Sequence, residues 1–217
     1  RRRHSFPTRR SSDLTEVLTQ WVDTINPVIS PSQWESCKVE GLRLNPESDT
    51  WLAVDLSPDR KQAALVASQK LEGDKFQVIL LQTWHNPSNL DDKALANDLA
   101  EWVRKYPVQL VAYSARTASA VAARLAPAGI RTEPIDGLDY AQSCDELLGA
   151  ISSQRLAHSG QDELTKQCLS AVKLPFGDGG WVMGRKVSNA VICGAVASAM
   201  ATHYATKAND GVDIVIM

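Results

Sequence analysis

Asp55 is the residue whose placement most invites chemistry. It closes the apolar run Trp51-Leu52-Ala53-Val54 and is followed by a Ser57-Pro58-Asp59 turn. A short apolar run ending in turn residues reads as a buried strand, so this carboxylate stands at a sheet rim that a metal or a substrate could reach. The plainer reading is a turn-capping aspartate, and position alone leaves both open. Asp59 lies in the turn itself and reads as a solvated turn residue, or as a weak second contributor to a metal at Asp55. His85 and His158 lack a Cys or His partner at ligand spacing and read as capping or packing residues. Cys37, Cys144, Cys168 and Cys193 show no CxxC or Cys/His ligand spacing, so they read as buried reduced thiols.

Other chemistries lose their sequence basis. The chain contains no GxSxG, HExxH or GxGxxG, which removes acyl-transfer hydrolase, zincin and dinucleotide readings. The segment GGWVMGRK, ending at Lys186, has a phosphate-loop outline. A phosphate loop, however, needs Lys-Ser/Thr at its end and small residues where the backbone approaches phosphate. Here Arg185-Lys186 stands at the end, and Trp181 and Met183 fill the approach. An actin-like phosphotransferase would need a glycine turn directly after Asp55, and Leu56-Ser57-Pro58-Asp59 has none.

The elements that must position Asp55 follow from periodicity and punctuation. Strands are expected at 51–55, 63–67 and 76–84, joined through Glu72-Gly73-Asp74 as an antiparallel meander. Leu95, Leu99, Trp102, Val103 and Tyr106 recur at helical spacing, with Ser88 or Asn89 as N-cap and Asp91-Asp92 set against the helix dipole. A strand at 108–113, a helix at 117–125 and a strand at 130–135 come next, and strands joined through helices pair in parallel. Helices at 140–152, 162–172 and 190–206 complete the chain, with a turn-rich stretch at 174–181. The expectation is an α/β domain with a mixed five-stranded sheet flanked by helices.

The chain has 217 residues, 44% apolar and 22% charged, which suits one compact domain and excludes a fibre or a disordered tail. Its net charge is −2, yet five arginines sit in the first ten residues, RRRHSFPTRR. Such a block could bind phosphate as a nucleic-acid arm. The string RRRHSFPTRRSSDL, however, resembles translated sequencing-adaptor read-through, so 1–14 is set apart as an artefact of a truncated gene. Without it 18 basic residues face 24 acidic ones, a net charge of −6. Residues 15–49, broken by Pro27, Pro31 and Pro46, read as an interdomain linker. In it Trp21 and Trp34 are expected to seat on a core, by preference that of a missing domain. The domain proper is 50–206, with a tail at 207–217. No run of about 18 apolar residues marks a membrane span, and a cytoplasmic protein is expected.

Three antiparallel strands, a helix, a strand, a helix and a strand, with Asp closing the first, is the order of the ribonuclease H-like fold. There acidic side chains from separate elements gather two divalent ions about 4 Å apart, which activate water and stabilise the leaving oxygen of a phosphodiester. One aspartate does not suffice for this. The sequence resembles the C-terminal nuclease domain of the large terminase subunit of tailed bacteriophages, particularly the actinobacteriophage type. The likeness runs over 17–204 through PSQWESC, LAVDLSPDRKQAALV, LVAYSARTASAVAARLAPAGI, LLGAISSQRLAHSGQDELTKQ and GGWVMGRKVSNAVICGAVASAMA. Each piece is degenerate alone; their order and spacing together carry the resemblance.

The resemblance implies an endonuclease dependent on Mg²⁺ or Mn²⁺ that cuts concatemeric double-stranded DNA during genome packaging. It implies the portal protein and the small terminase subunit as partners, and a location in the host cytoplasm and transiently at the procapsid portal. It also implies an ATPase domain earlier in the same polypeptide, expected to be missing from this fragment. The first metal-binding carboxylate of the family maps onto Asp55. The second belongs at the end of VQLVAYS, where Ser114 stands, and the third at Val191 or, with a shift, Cys193. Asp136 and Asp178 are candidate substitutes, Asp136 as a weak metal ligand. Two expectations result: cleavage by a differently built centre, or a catalytically degenerate ribonuclease H-like docking module of the packaging motor.

Overall fold

The computed structural model describes residues 27–188 and 190–208, so Trp21, the arginine-rich leader and most of the tail lie outside the described residues. Strand β1 (Thr50–Leu56) is buried along its whole length. Its side chains alternate, Leu52, Val54 and Leu56 joining one apolar cluster and Trp51 and Ala53 the other. A strand covered on both faces explains the unbroken apolar run, and places Asp55 on the Trp51 side. β2 (Gln62–Leu71) and β3 (Lys75–His85) extend the sheet antiparallel on one side of β1. β4 (Val108–Ser114) and β5 (Thr132–Ile135) extend it in parallel on the other.

All five expected strands are present, and β6 (Leu156–His158) adds a sixth, parallel to β3, giving the order β5-β4-β1-β2-β3-β6. Three residues are too short to show a period, so β6 is invisible in the sequence. Beyond it on the edge of β3, the Gln161 side-chain amide bonds both backbone groups of Leu80 at 2.8 Å, continuing the ladder without a strand. The β2/β3 register then shifts between Leu65 and Val66.

Helices cover both faces. α1 (Pro31–Ser36) precedes the sheet, and α2 (Asp92–Lys105) and α3 (Ser119–Leu125) supply Leu95, Leu99, Val121 and Leu125 to one cluster. Asp91, not Ser88 or Asn89, caps α2 by accepting from Lys93 N–H, while Arg104 and Lys105 occupy its last turn. α4 (Gly137–Ser152), α5 (Asp162–Leu169) and α6 (Cys193–Lys207) cover the other face. α6 is buried almost all round, and its Ala, Gly and Ser residues let it lie close on β1 and β2. The turn-rich stretch resolves into a hairpin, β7 (Lys173–Phe176) with β8 (Gly180–Met183).

From Pro27 onward the proline-broken segment packs on this domain. Trp34, expected to seat on a missing neighbour, is 1% exposed here. Its indole donates to Thr165 Oγ1 at 3.1 Å and stacks on His158 with centroids 3.9 Å apart. His158 in turn donates from Nε2 to Trp34 O at 2.8 Å and accepts Gly160 N–H at Nδ1, so the neutral imidazole suits both bonds. Burial lowers the His158 pKa, with the bond to the Trp34 carbonyl opposing it.

Trp34→Ala is expected to cost about 3–5 kcal/mol in denaturant unfolding, as for other large-to-small core changes. Because the folded His158 pKa is lowered, the unfolded chain binds the proton more readily. The His158 contribution is therefore present above about pH 6.5 and is lost as pH falls through the folded value. The stability gap between wild type and His158→Gln should accordingly narrow on going from about pH 7 to about pH 5; a gap that widens counts against this assignment.

Candidate functional site

The two central parallel strands end side by side. Val54 of β1 lies opposite Tyr113 of β4, so the next residues, Asp55 and Ser114, are neighbours that point to the same face. Ser114, where the family resemblance expects a second carboxylate, contributes only a buried hydroxyl. Val191, the third expected position, is apolar and packs against the core, and Cys193 begins α6 as a buried thiol.

Asp55 is fully buried, and its partner is Arg185. Arg185 Nε donates to Oδ2 at 3.0 Å and Nη2 to Oδ1 at 2.8 Å, the two-pronged geometry that guanidinium and carboxylate share. Thr117 Oγ1 donates a third bond to Oδ1 at 3.2 Å. The guanidinium carbon lies 5.0 Å from the centre of the Tyr140 ring, within cation–π range. Burial disfavours the charge on Arg185, but the Asp55 carboxylate outweighs it and holds the guanidinium above its ordinary range. Burial and then the Asp55 charge push the Cys193 thiol upward, and burial raises Cys144 to about 11, so neither is a nucleophile near neutral pH.

Local structure aims Arg185. β8 ends at Met183, whose carbonyl accepts the Tyr140 hydroxyl at 2.9 Å. Gly184 N–H then bonds Val172 O at 3.0 Å, and Ser188 closes the turn by donating both N–H and Oγ to Gly184 O. A Cβ at Gly184 would lie 2.5 Å from Val187 Cγ2 and 3.2 Å from Leu174 Cβ. The glycine therefore lets the turn fold against the hairpin, with Arg185 facing inward, without displacing the Val187 side chain.

The other sequence candidates do not join Asp55. Asp136 caps α4 by accepting Gly137 N–H at 2.7 Å and pairs with Arg116 at 3.1 Å. Asp59 is exposed; it accepts from Ser57 Oγ at 2.6 Å and from Lys61 N–H, and the Ser57 bond holds its carboxyl below the ordinary value. Asp178 lies exposed in the β7/β8 turn. Among the described residues no three His, Cys, Asp or Glu side chains are grouped to hold a metal. The donors around Asp55 do not fit a two-ion centre: one carboxylate is present, a fixed cation engages both its oxygens, and its neighbours are neutral. Mg²⁺ needs anionic oxygens to offset its dehydration.

Arg185 is the residue at this site that motif reading passes over, because GGWVMGRK is tested there only as a phosphate loop. Its signal lies in Asp55: a carboxylate at the end of a strand buried on both faces needs a counter-charge. With acidic partners absent, a basic residue just after an apolar hairpin strand is the natural source.

The strand order, with a carboxylate closing the central strand, defines a ribonuclease H-like domain. No family model matches the sequence, and no curated protein matches it. Solved structures do match. The bacteriophage HK97 large terminase superposes with a TM-score of 0.71 at 16% identity, over 90% of this chain and 51% of that one. The large terminase nuclease of thermophilic phage G20c gives 0.63 at 13% identity, over 81% of this chain and 97% of that one. The Thermus phage P74-26 large terminase nuclease domain gives 0.61 at 13%, over 81% and 94%. The G20c nuclease also has structures with bound magnesium and with bound cobalt. The chain thus has the fold of phage large-terminase nuclease domains, and it spans about half the length of the HK97 protein.

Removing one partner of a buried ion pair leaves a buried charge without compensation, at about 3–5 kcal/mol. Arg185→Met and Asp55→Leu are each expected to show that loss in chemical denaturation, and the double variant to recover most of it. Additive losses in the double variant would contradict the pairing.

Proposed function

We propose that this chain is the nuclease-fold domain of a phage large terminase subunit, kept as a non-cleaving docking module of the DNA-packaging motor. The observation that carries the reading is the Asp55–Arg185 pair. Two-ion hydrolysis depends on carboxylates that hold a pair of cations about 4 Å apart and leave coordination sites for water and the leaving oxygen. In this chain the family's first carboxylate is neutralised by a guanidinium from its own fold, and the two other carboxylate positions are Ser114 and Val191 or Cys193. A guanidinium held by Asp55 compensates charge, but it does not activate water as a Lewis acid.

The competing reading, cleavage of concatemeric double-stranded DNA with Mg²⁺ or Mn²⁺, takes its support from the magnesium- and cobalt-bound G20c structures. It requires Arg185 to leave Asp55 and ligands to come from elsewhere. As a docking module the domain works beside the ATPase domain, the small subunit, the portal protein and DNA, in the host cytoplasm and at the procapsid portal. Among the described residues no helix is long and apolar enough to cross a membrane, which suits that setting.

The purified chain is expected to leave supercoiled plasmid intact with either Mg²⁺ or Mn²⁺, and to give no binding heat when titrated with Mn²⁺. The triple variant Ser114→Asp, Val191→Asp, Arg185→Ala is expected to gain measurable Mn²⁺ binding. Nicking by the unaltered chain that Asp55→Ala abolishes would overturn the proposal.

A further inference from the structure

Beside the Asp55–Arg185 pair lies a cleft of about 510 Å³, bounded by the β7/β8 hairpin, the turn after it and the first turn of α4. Its wall is largely apolar, built from Ile135, Leu174, Phe176, Val182, Met183 and Val187. Four large apolar residues are exposed among the described residues, and two of them, Leu174 and Val187, line this cleft. A third, Leu138, comes directly after the cleft-lining Gly137 and is 75% exposed. Isolated exposed apolar residues are ordinary on a protein surface, whereas several around one concavity mark a contact site.

The charges at the cleft have one sign in excess. Arg185 is fully engaged by Asp55, and Arg116 pairs with Asp136 while its side chain stays 72% exposed. Lys186 is exposed and forms no ion pair among the described residues. A groove that tracks a phosphate backbone relies on many Lys and Arg contacts. Here one unpaired lysine and one paired arginine border an apolar wall, which suits a polypeptide with apolar anchors and a flanking carboxylate. An apolar centre inside a polar, charged rim is the usual anatomy of a protein contact, and the charge at its edge selects the partner.

We infer that this cleft docks a partner peptide segment in which large apolar residues are flanked by Asp or Glu, with Val187 and Leu174 forming the apolar seat and Lys186 receiving the carboxylate. The inference rests on the non-cleaving reading, since it gives the cleft beside the lost metal centre to a protein partner in place of a DNA strand.

The test is selection of a random-peptide display library on the immobilised chain, followed by binding of the enriched peptides in solution by fluorescence anisotropy. Enriched peptides are expected to combine large apolar residues with Asp or Glu, and to lose at least about tenfold in affinity on Lys186→Glu and on Val187→Ser. Both changes are at the surface, and matching thermal melts verify that the fold is intact. Absence of enrichment, or peptides indifferent to both changes, overturns the inference. So does a short DNA duplex that binds in a Lys186-dependent manner and displaces the peptides. Plasmid nicking is read in parallel: nicking overturns the non-cleaving reading, whereas an inert chain that selects no peptide overturns this inference alone.

Discussion

A carboxylate on a strand buried on both faces must have a counter-charge, and much of this molecule is arranged to provide one. The Asp55–Arg185 contact joins three parts of the chain at one point: the end of β1, the turn after β8, and Thr117 between β4 and α3. Tyr140 of α4 supports the guanidinium and grips the end of β8 through its hydroxyl. The hairpin is thereby fastened to the sheet by a charge pair and to α4 by a hydrogen bond. Neutral Ser114 and apolar Val191 are compatible with this arrangement, because a second buried carboxylate would compete with Asp55 for the same cation.

The first five strands and the main helices were legible because each carries its own mark. β1 is an unbroken apolar run, α2 has apolar residues at helical spacing, and Pro107, Pro127 and Gly129 punctuate the strand-helix units. Asp55 stood out for the same reason, as a charge closing an apolar run. Arg185 did not, since a salt bridge across 130 residues leaves no local pattern. Trp34 was recognisable as an anchor but not as belonging to this core, because its partners Thr165 and His158 come from α5 and β6, far along the chain. Asp136 has the right residue type, directly after β5, beside the strand whose end carries Ser114. Its φ/ψ and its position before Gly137 make it a helix cap instead.

Fold and chemistry separate cleanly here. The likeness to HK97, G20c and P74-26 proteins concerns the path of the backbone, which apolar alternation and helix caps dictate without reference to the residues at the strand ends. Hydrolysis depends on a handful of side chains at those ends. In this chain the rim carries Asp55 paired with Arg185, the Ser114 hydroxyl and the aliphatic Val191, and the sheet is complete. The cleft beside that rim combines apolar side chains from the β7/β8 hairpin with charged and hydroxyl groups from the strand ends and the turns.

The edges of the sheet carry a consequence for assembly. β5 has four residues and includes Pro134, which offers no N–H. At the opposite side β6 closes the start of β3, the Gln161 amide takes both backbone groups of Leu80, and the register shift near Leu80 adds twist to the rest of β3. Short, proline-bearing, covered or bulged edges are poor templates for another strand. Neighbours are thus denied growth of the sheet as a means of joining this domain. An assembly that includes this domain is left with loops, helix faces and grooves, contacts that can be released and re-formed without unzipping a ladder of backbone bonds.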